Sequence, residues 1–146
     1  MVLQPRVIFV TVVVSLAVVA SLVINPLEQF RRIQDRQVGT EAEEFLEAVE
    51  RYYKVFFEYP WEALGQSDPD ETAVQHAWIE ELITKGEANP EFVDCSSCNR
   101  IYITQNVTTV SACFDPISEK FQQQADEERA FDCLGNCWRC LSPISE

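Results

Sequence analysis

The stretch ERYYKVFFEYPWEAL, Glu50–Leu64, decides how this chain is to be read. Tyr52, Tyr53, Phe56, Phe57, Tyr59 and Trp61 place six aromatic rings in ten positions, interleaved with charge and interrupted by Pro60. Upstream, Ala42, Phe45, Leu46 and Val49 recur at the i, i+3, i+4 spacing that puts them on the same helical face as those rings. The residue before a proline avoids helical geometry, so Tyr59-Pro60 ends the element. Rings on that face need a partner surface, and the nearest is the rest of the chain. Phe45, Val49, Tyr52, Tyr53, Phe56, Tyr59 and Pro60 are therefore expected to form a joint between a helix and a small head, in preference to a binding lip.

Working toward the N-terminus, NPLEQFRRIQDRQVGTEAEE continues the helical pattern. Leu27, Phe30, Ile33 and Val38 form a thin apolar line among charges. Pro26 is compatible with a kinked helix. Gly39 is the weak point, and Thr40 with Glu43 offers a capping box at which a helix can restart.

Before that lies VIFVTVVVSLAVVASLVI, Val7–Ile24, 18 residues without a charge. As a helix it would span about 27 Å, close to the hydrocarbon thickness of a bilayer. Val7, Val14, Leu16, Val19, Leu22, Ile24 and Pro26 are its candidate membrane and filament residues. A cleaved export signal ending at VVA before Ser21 is the alternative. The retained anchor is preferred because the run stays apolar past that point. The expected organisation is a transmembrane helix over 1–26, an amphipathic continuation over 27–60 and a cysteine-rich α+β head over 61–146.

Charge is distributed unevenly. Of the eleven basic residues only Arg6 precedes Leu27, while all 24 acidic residues follow it, a net charge of −14 from there on. Such a surface repels phosphate backbones, so nucleic acid is not an expected partner. Arg31, Arg32 and Arg36 against the lone Arg6 would place the C-terminal part in the cytoplasm on a strict positive-inside count. The cysteines argue for an oxidising exterior, and that location is the one expected.

Toward the C-terminus, Asp68-Pro69-Asp70 is read as a turn opening a helix with Ala73, Ala77, Trp78, Leu82 and Ile83 on its apolar stripe, ended by Gly86. The single histidine, His76, is assigned no role. RIYITQNVTTVSACF is rich in β-branched residues and reads as two short strands around Gln105-Asn106. DPISEKFQQQADEERAF reads as a loop or short polar helix, and DCLGNCWRCLSP has no regular period.

Cys95, Cys98, Cys113, Cys133, Cys137 and Cys140 admit three readings. CSSC and CWRC could supply four thiolates to zinc, but their separation exceeds usual ribbon spacing and two cysteines are left over. Redox chemistry at either C-x-x-C lacks the strand-helix context such motifs use. Structural disulfides use all six, with fifteen possible pairings, and are preferred. No nucleophile-base pair, phosphate loop or facing carboxylate pair is evident, so neither an enzyme nor a cofactor is expected.

Three stretches resemble type IV pilins and type II secretion pseudopilins of the major-pseudopilin type. The apolar helix followed by INPLEQFRRIQDRQ is similar to the family's membrane helix with its proline and charged continuation. AVERYYKVFFEYP is similar to the family pattern ALExYYxDNGxYP, matching it at Tyr52, Tyr53, Glu58, Tyr59 and Pro60, with Val55, Phe56 and Phe57 departing in the spacer. WIEELITKGEANPEF resembles the tryptophan helix and GEL turn of related proteins. The family's processing motif, a glycine before phenylalanine with a glutamate beyond, has no counterpart in MVLQPRVIF, where Pro5 falls in the glutamate's place if Met1 is the first mature residue; a start further upstream and an unprocessed relative are the two readings. The resemblance implies a non-enzymatic subunit that passes from the bilayer into a filament, with self-association, other pilin-like subunits and assembly machinery as partners. A cysteine-rich binding or adhesin domain that never polymerises is the alternative, and a zinc or redox module the second.

Overall fold

The computed structural model describes residues 25–106, 109–127 and 139–142. It is an α+β fold in which a long N-terminal helix supports a small antiparallel sheet. The apolar run with Val7, Val14, Leu16, Val19, Leu22 and Ile24 lies outside the described residues, as do Cys133 and Cys137. Among the described residues no helix is long and apolar enough to cross a membrane.

Helix α1, Pro26–Phe56, runs for 31 residues, about 46 Å. Pro26 begins it instead of kinking it. Asn25 takes an extended conformation and its side chain accepts from the Glu28 N–H, which satisfies one of the donors a helix start leaves open. The helix also passes through Gly39 without restarting at Thr40. Flanking turns packed against the head outweigh the conformational cost of one glycine. A Cβ at Gly39 would lie 3.8 Å from the Phe114 ring, an ordinary contact. Gly39→Ala is therefore expected to stabilise the fold by about 0.5–1 kcal/mol. A melting temperature unchanged or lowered would show that the neighbourhood cannot take a methyl group.

At its other end α1 stops on Phe57, whose φ of 59° is left-handed. Glycine is the usual residue there, and an L-residue with a Cβ costs about 1 kcal/mol more. Three residues on, Pro60 opens α2, Pro60–Ala63, with the Glu62 carboxylate accepting from the Tyr59 N–H at 2.6 Å.

Sequence reading placed a helix from Asp70 onward. Thr72–Ala73 instead forms β1, paired with Tyr102 and Ile103, and α3 begins only at His76 and ends at Thr84. The chain is held against the sheet on both sides of β1: Gln105 N donates to Pro69 O, and Val74 N to Ile101 O. These backbone bonds prevail over a helical pattern in the side chains. Past α3, Gly86 takes φ of 80°. Short 3-10 turns follow at Pro90–Asp94 and Cys98–Arg100.

Strands β2, Tyr102–Gln105, and β3, Val110–Phe114, form the expected hairpin. Helix α4, Glu119–Glu127, follows. Arg139–Leu141, read as irregular, completes the sheet as β4 by pairing with Phe114, Cys113 and Ala112. Strand order is β1-β2-β3-β4, antiparallel throughout.

The core lies between α1 and the sheet. Val38, Ala42, Phe45, Val49 and Tyr52 are buried from the helix side, Ile101, Ile103, Ala112 and Phe114 from the sheet side. Trp61, Trp78 and Leu82 extend this core under α2 and α3. The second half of α1 is thus part of the head.

Candidate functional site

The joint is built from an aromatic file. The Tyr53 ring stacks on Tyr59 at 4.6 Å, Tyr59 on Trp61 at 5.0 Å, and Trp61 meets Trp78 at 5.2 Å. Tyr52 packs on Phe56 at 4.6 Å, and Phe56 in turn lies under the Lys85 ammonium. Of the seven joint residues read from sequence, Phe45, Val49, Tyr52 and Pro60 are buried, Phe56 and Tyr59 half-buried, and Tyr53 exposed on its outer edge. Phe57, placed on the same face by its spacing, points outward instead with 81% of its surface exposed. The left-handed turn at that residue takes it off the helical periodicity.

Polar groups in the joint find partners. The Tyr52 hydroxyl donates to Glu81 Oε1 at 3.0 Å. Burial, together with that hydrogen bond and the charges of Glu81 and Glu58, pushes its pKa up to about 12. Tyr59 is raised by burial and by Tyr53, Glu62 and Asp68 around it. Trp61 Nε1 donates to Gln105 Oε1, and Trp78 Nε1 to Gln66 Oε1, each at 2.6 Å.

Two carboxylates on α1, given no role in the sequence reading, are buried: Glu28 and Asp35. Asp35 Oδ1 accepts from Ile117 N at 3.1 Å, and Oδ2 accepts from Ser118 N at 2.8 Å and from the Ser118 hydroxyl. Arg100 Nη2 stands 3.7 Å from Oδ1. Glu28 Oε2 accepts from Glu119 N at 3.3 Å, while Oε1 accepts from Arg32 Nε at 3.1 Å. Together they hold the turn leading into α4, where free N–H groups favour negative charge. The signal was present in the sequence. Glu28, Asp35, Val38, Ala42, Phe45, Val49 and Tyr52 follow one another at intervals of seven, three and four, so both acids continue the core stripe.

Burial alone would raise the Glu28 pKa. Hydrogen bonds from Arg32 and from the Glu119 and Lys120 backbones outweigh it and hold the carboxyl below the ordinary value. A depressed carboxyl contributes stability above its unfolded pKa and loses it as pH falls through the folded one. Melting curves taken from pH 7 downward are therefore expected to converge for wild type and Glu28→Gln as the medium becomes acidic. A gap that widens on acidification would reverse this sign.

A third carboxylate, Glu41, ties the CSSC segment to α1. Its Oε2 accepts from Ser97 N at 3.0 Å, and Gln37 Nε2 bridges Glu41 Oε1 and Ser96 Oγ. Cys95 Sγ lies 3.2 Å from the same Oε2, a contact without a proton because Cys95 is bonded to Cys98. The second disulfide joins Cys113 and Cys140, directly opposed on β3 and β4. It closes a loop of about 28 residues, where the chain-entropy model gives about 3.5 kcal/mol, against about 2 kcal/mol for the Cys95–Cys98 loop. Four of the six cysteines thus act as cross-links. Among the described residues no cluster of His, Cys, Asp and Glu is placed to hold a metal ion. His76 is exposed, with Nδ1 3.4 Å from Glu80.

The first two turns of α1 differ in character from the rest. Leu27, Phe30 and Ile33 are each more than half exposed, and Arg31, Arg32 and Arg36 stand around them. Comparison with protein-family models, with curated proteins and with solved structures finds no match, so the functional reading rests on the chain's own residues.

Proposed function

We propose that the chain is a non-enzymatic, membrane-anchored, pilin-like structural subunit that assembles through its N-terminal helix into a type IV pilus or type II secretion-like filament. The observation that carries this reading is helix α1. It begins one residue after an 18-residue uncharged run, leaves Leu27, Phe30 and Ile33 uncovered over its first turns, and then becomes the central element of a small head. An apolar segment of that length can rest in lipid as a monomer and exchange lipid contacts for neighbouring helices in a polymer with little change in buried apolar area. The head lies outside the cytoplasmic membrane. Two disulfides support that side, since such cross-links persist in oxidising compartments. The same pairings disfavour a four-thiolate zinc site.

Leu16→Arg puts a charge in the middle of the apolar run. It is expected to abolish both membrane residence and the ladder of multimers that assembly predicts on cross-linking in cells. A ladder that survives the substitution refutes assembly through this segment. A wild-type chain that cross-links only as a monomer supports the non-polymerising binding domain instead. The N-terminal residue of the mature protein distinguishes an uncut anchor from a cleaved export signal.

A further inference from the structure

Two exposed apolar patches sit at opposite ends of α1 and carry opposite charge. At the N-terminal end, Leu27, Phe30 and Ile33 are 57%, 58% and 61% exposed. Arg32 is paired with Glu28, whereas Arg31 and Arg36 make no ion pair with a described residue. At the C-terminal end, Phe57 is 81% and Tyr53 42% exposed. Exposed acids stand beside them, Glu58 directly after Phe57, Glu62 on the Tyr59 N–H and Asp68 acting on Tyr59, while the nearby cations Lys54 and Lys85 are paired with Glu50 and Glu81.

Phe57 is doubly disfavoured in an isolated chain. It holds a left-handed conformation that glycine takes at no steric cost, and it leaves a large ring in water. Neither property helps the monomer fold. Both are accounted for if the ring is covered by a partner.

We infer that Phe57 and its acidic surround dock on the Leu27–Phe30–Ile33 stripe and the Arg31 and Arg36 guanidinium groups of a second copy of this chain. The complement is specific in sign. An acid-rimmed ring is repelled by an anionic lipid surface, whereas the basic stripe offers it both apolar area and opposite charge. The contact cannot close within one molecule. Phe30 and Phe57 belong to one continuous helix and its cap, about 40 Å apart along the axis. Repeated head to tail, such pairing leaves one free patch at either end, so copies that close neither into a ring nor into a reciprocal pair continue as a filament. This deepens the assembly reading above and rests on it only in requiring that copies meet.

The test places p-benzoylphenylalanine at position 57 of the full chain, irradiates cells, and maps the adducts in both membrane and soluble fractions by mass spectrometry. The expected adduct has the mass of a dimer, with its linkage within residues 27–36 of the second copy. Arg31→Glu combined with Arg36→Glu is expected to lower its yield at least tenfold, and adding Glu58→Arg with Asp68→Arg to restore it. Restoration also excludes misfolding as the cause of the loss. Linkage to lipid, to another protein or to another part of this chain overturns the inference, as does a yield indifferent to the charge reversals. If multimers persist while position 57 maps elsewhere, this contact is refuted and the filament reading stands. If no multimer forms in either fraction, both fail.

Discussion

Asp35→Ala is expected to cost about 3–5 kcal/mol of folding stability, although the residue sits in a helix segment that reads as polar surface. Its carboxylate has no exposed surface and accepts three hydrogen bonds, from Ile117 N, Ser118 N and the Ser118 hydroxyl. Alanine keeps the helix and removes every acceptor. Each orphaned buried donor costs about 1–3 kcal/mol, and Arg100 loses the charge it faces. The cost should appear locally as well as globally. Glu28 holds the next N–H groups, of Glu119 and Lys120, so without Asp35 the start of α4 is secured by that carboxylate and by packing. Denaturant titration gives the total, and hydrogen exchange gives the location, with the α4 amides losing protection before those of β2 and β3. Asp35→Asn keeps one acceptor oxygen but presents an NH2 group to donors, and should fall between the two. A loss below about 1 kcal/mol for the alanine variant would mean that water replaces the carboxylate at little cost, and that α4 is held otherwise.

The same residue shows what was legible in the sequence. The period of α1 and its stop before Pro60 follow from local spacing, and so does the β2–β3 hairpin, whose strands are close in sequence. All of the membrane and filament residues but Pro26 fall outside the described part, so on them the expectation and the structure do not meet. What the sequence left unread depends on distant partners. Asp35 and Glu28 lie on the core stripe, but a carboxylate is credited to a core only once the N–H groups it will meet are known, and these come more than 80 residues later. Thr72–Ala73 becomes a strand because β2 lies beside it, and Arg139–Leu141 because β3 does. Fifteen pairings were open to six cysteines, and strand register is what brings Cys113 opposite Cys140. Phe57 was misplaced for a different reason. Periodicity predicts a side chain's direction only while the helix lasts, and the left-handed cap breaks the count one residue past Phe56.

Trp61→Ala should be the other severe lesion, at about 4–6 kcal/mol, and it acts on the joint. Trp61 is fully buried between Tyr59 and Trp78, and its indole N–H donates to Gln105 Oε1 on β2. Truncating so large a ring costs about 3–5 kcal/mol in transfer and cavity terms, and the Gln105 carbonyl is left without its donor. Trp61→Phe retains much of the ring and loses the hydrogen bond, so about 2 kcal/mol is expected. Val38, Ala42 and Phe45 lie some sixteen or more residues earlier on α1, against the sheet, and do not depend on this ring. The α1–sheet core should therefore persist while α2 and the connection to α3 loosen. Far-UV circular dichroism should be nearly preserved at low temperature, with the near-UV aromatic signal reduced and protease cutting appearing first between Phe57 and Gln75. Uniform unfolding, or a loss under about 2 kcal/mol, would refute a joint secured by this side chain. The consequence for assembly follows from position: Phe57 lies four residues before Trp61, and its outward direction is set by the turn that Pro60 and Trp61 pin to the head. A loosened turn leaves the ring present but no longer aimed, so Trp61→Ala should reduce the position-57 adduct even at temperatures where the chain stays folded.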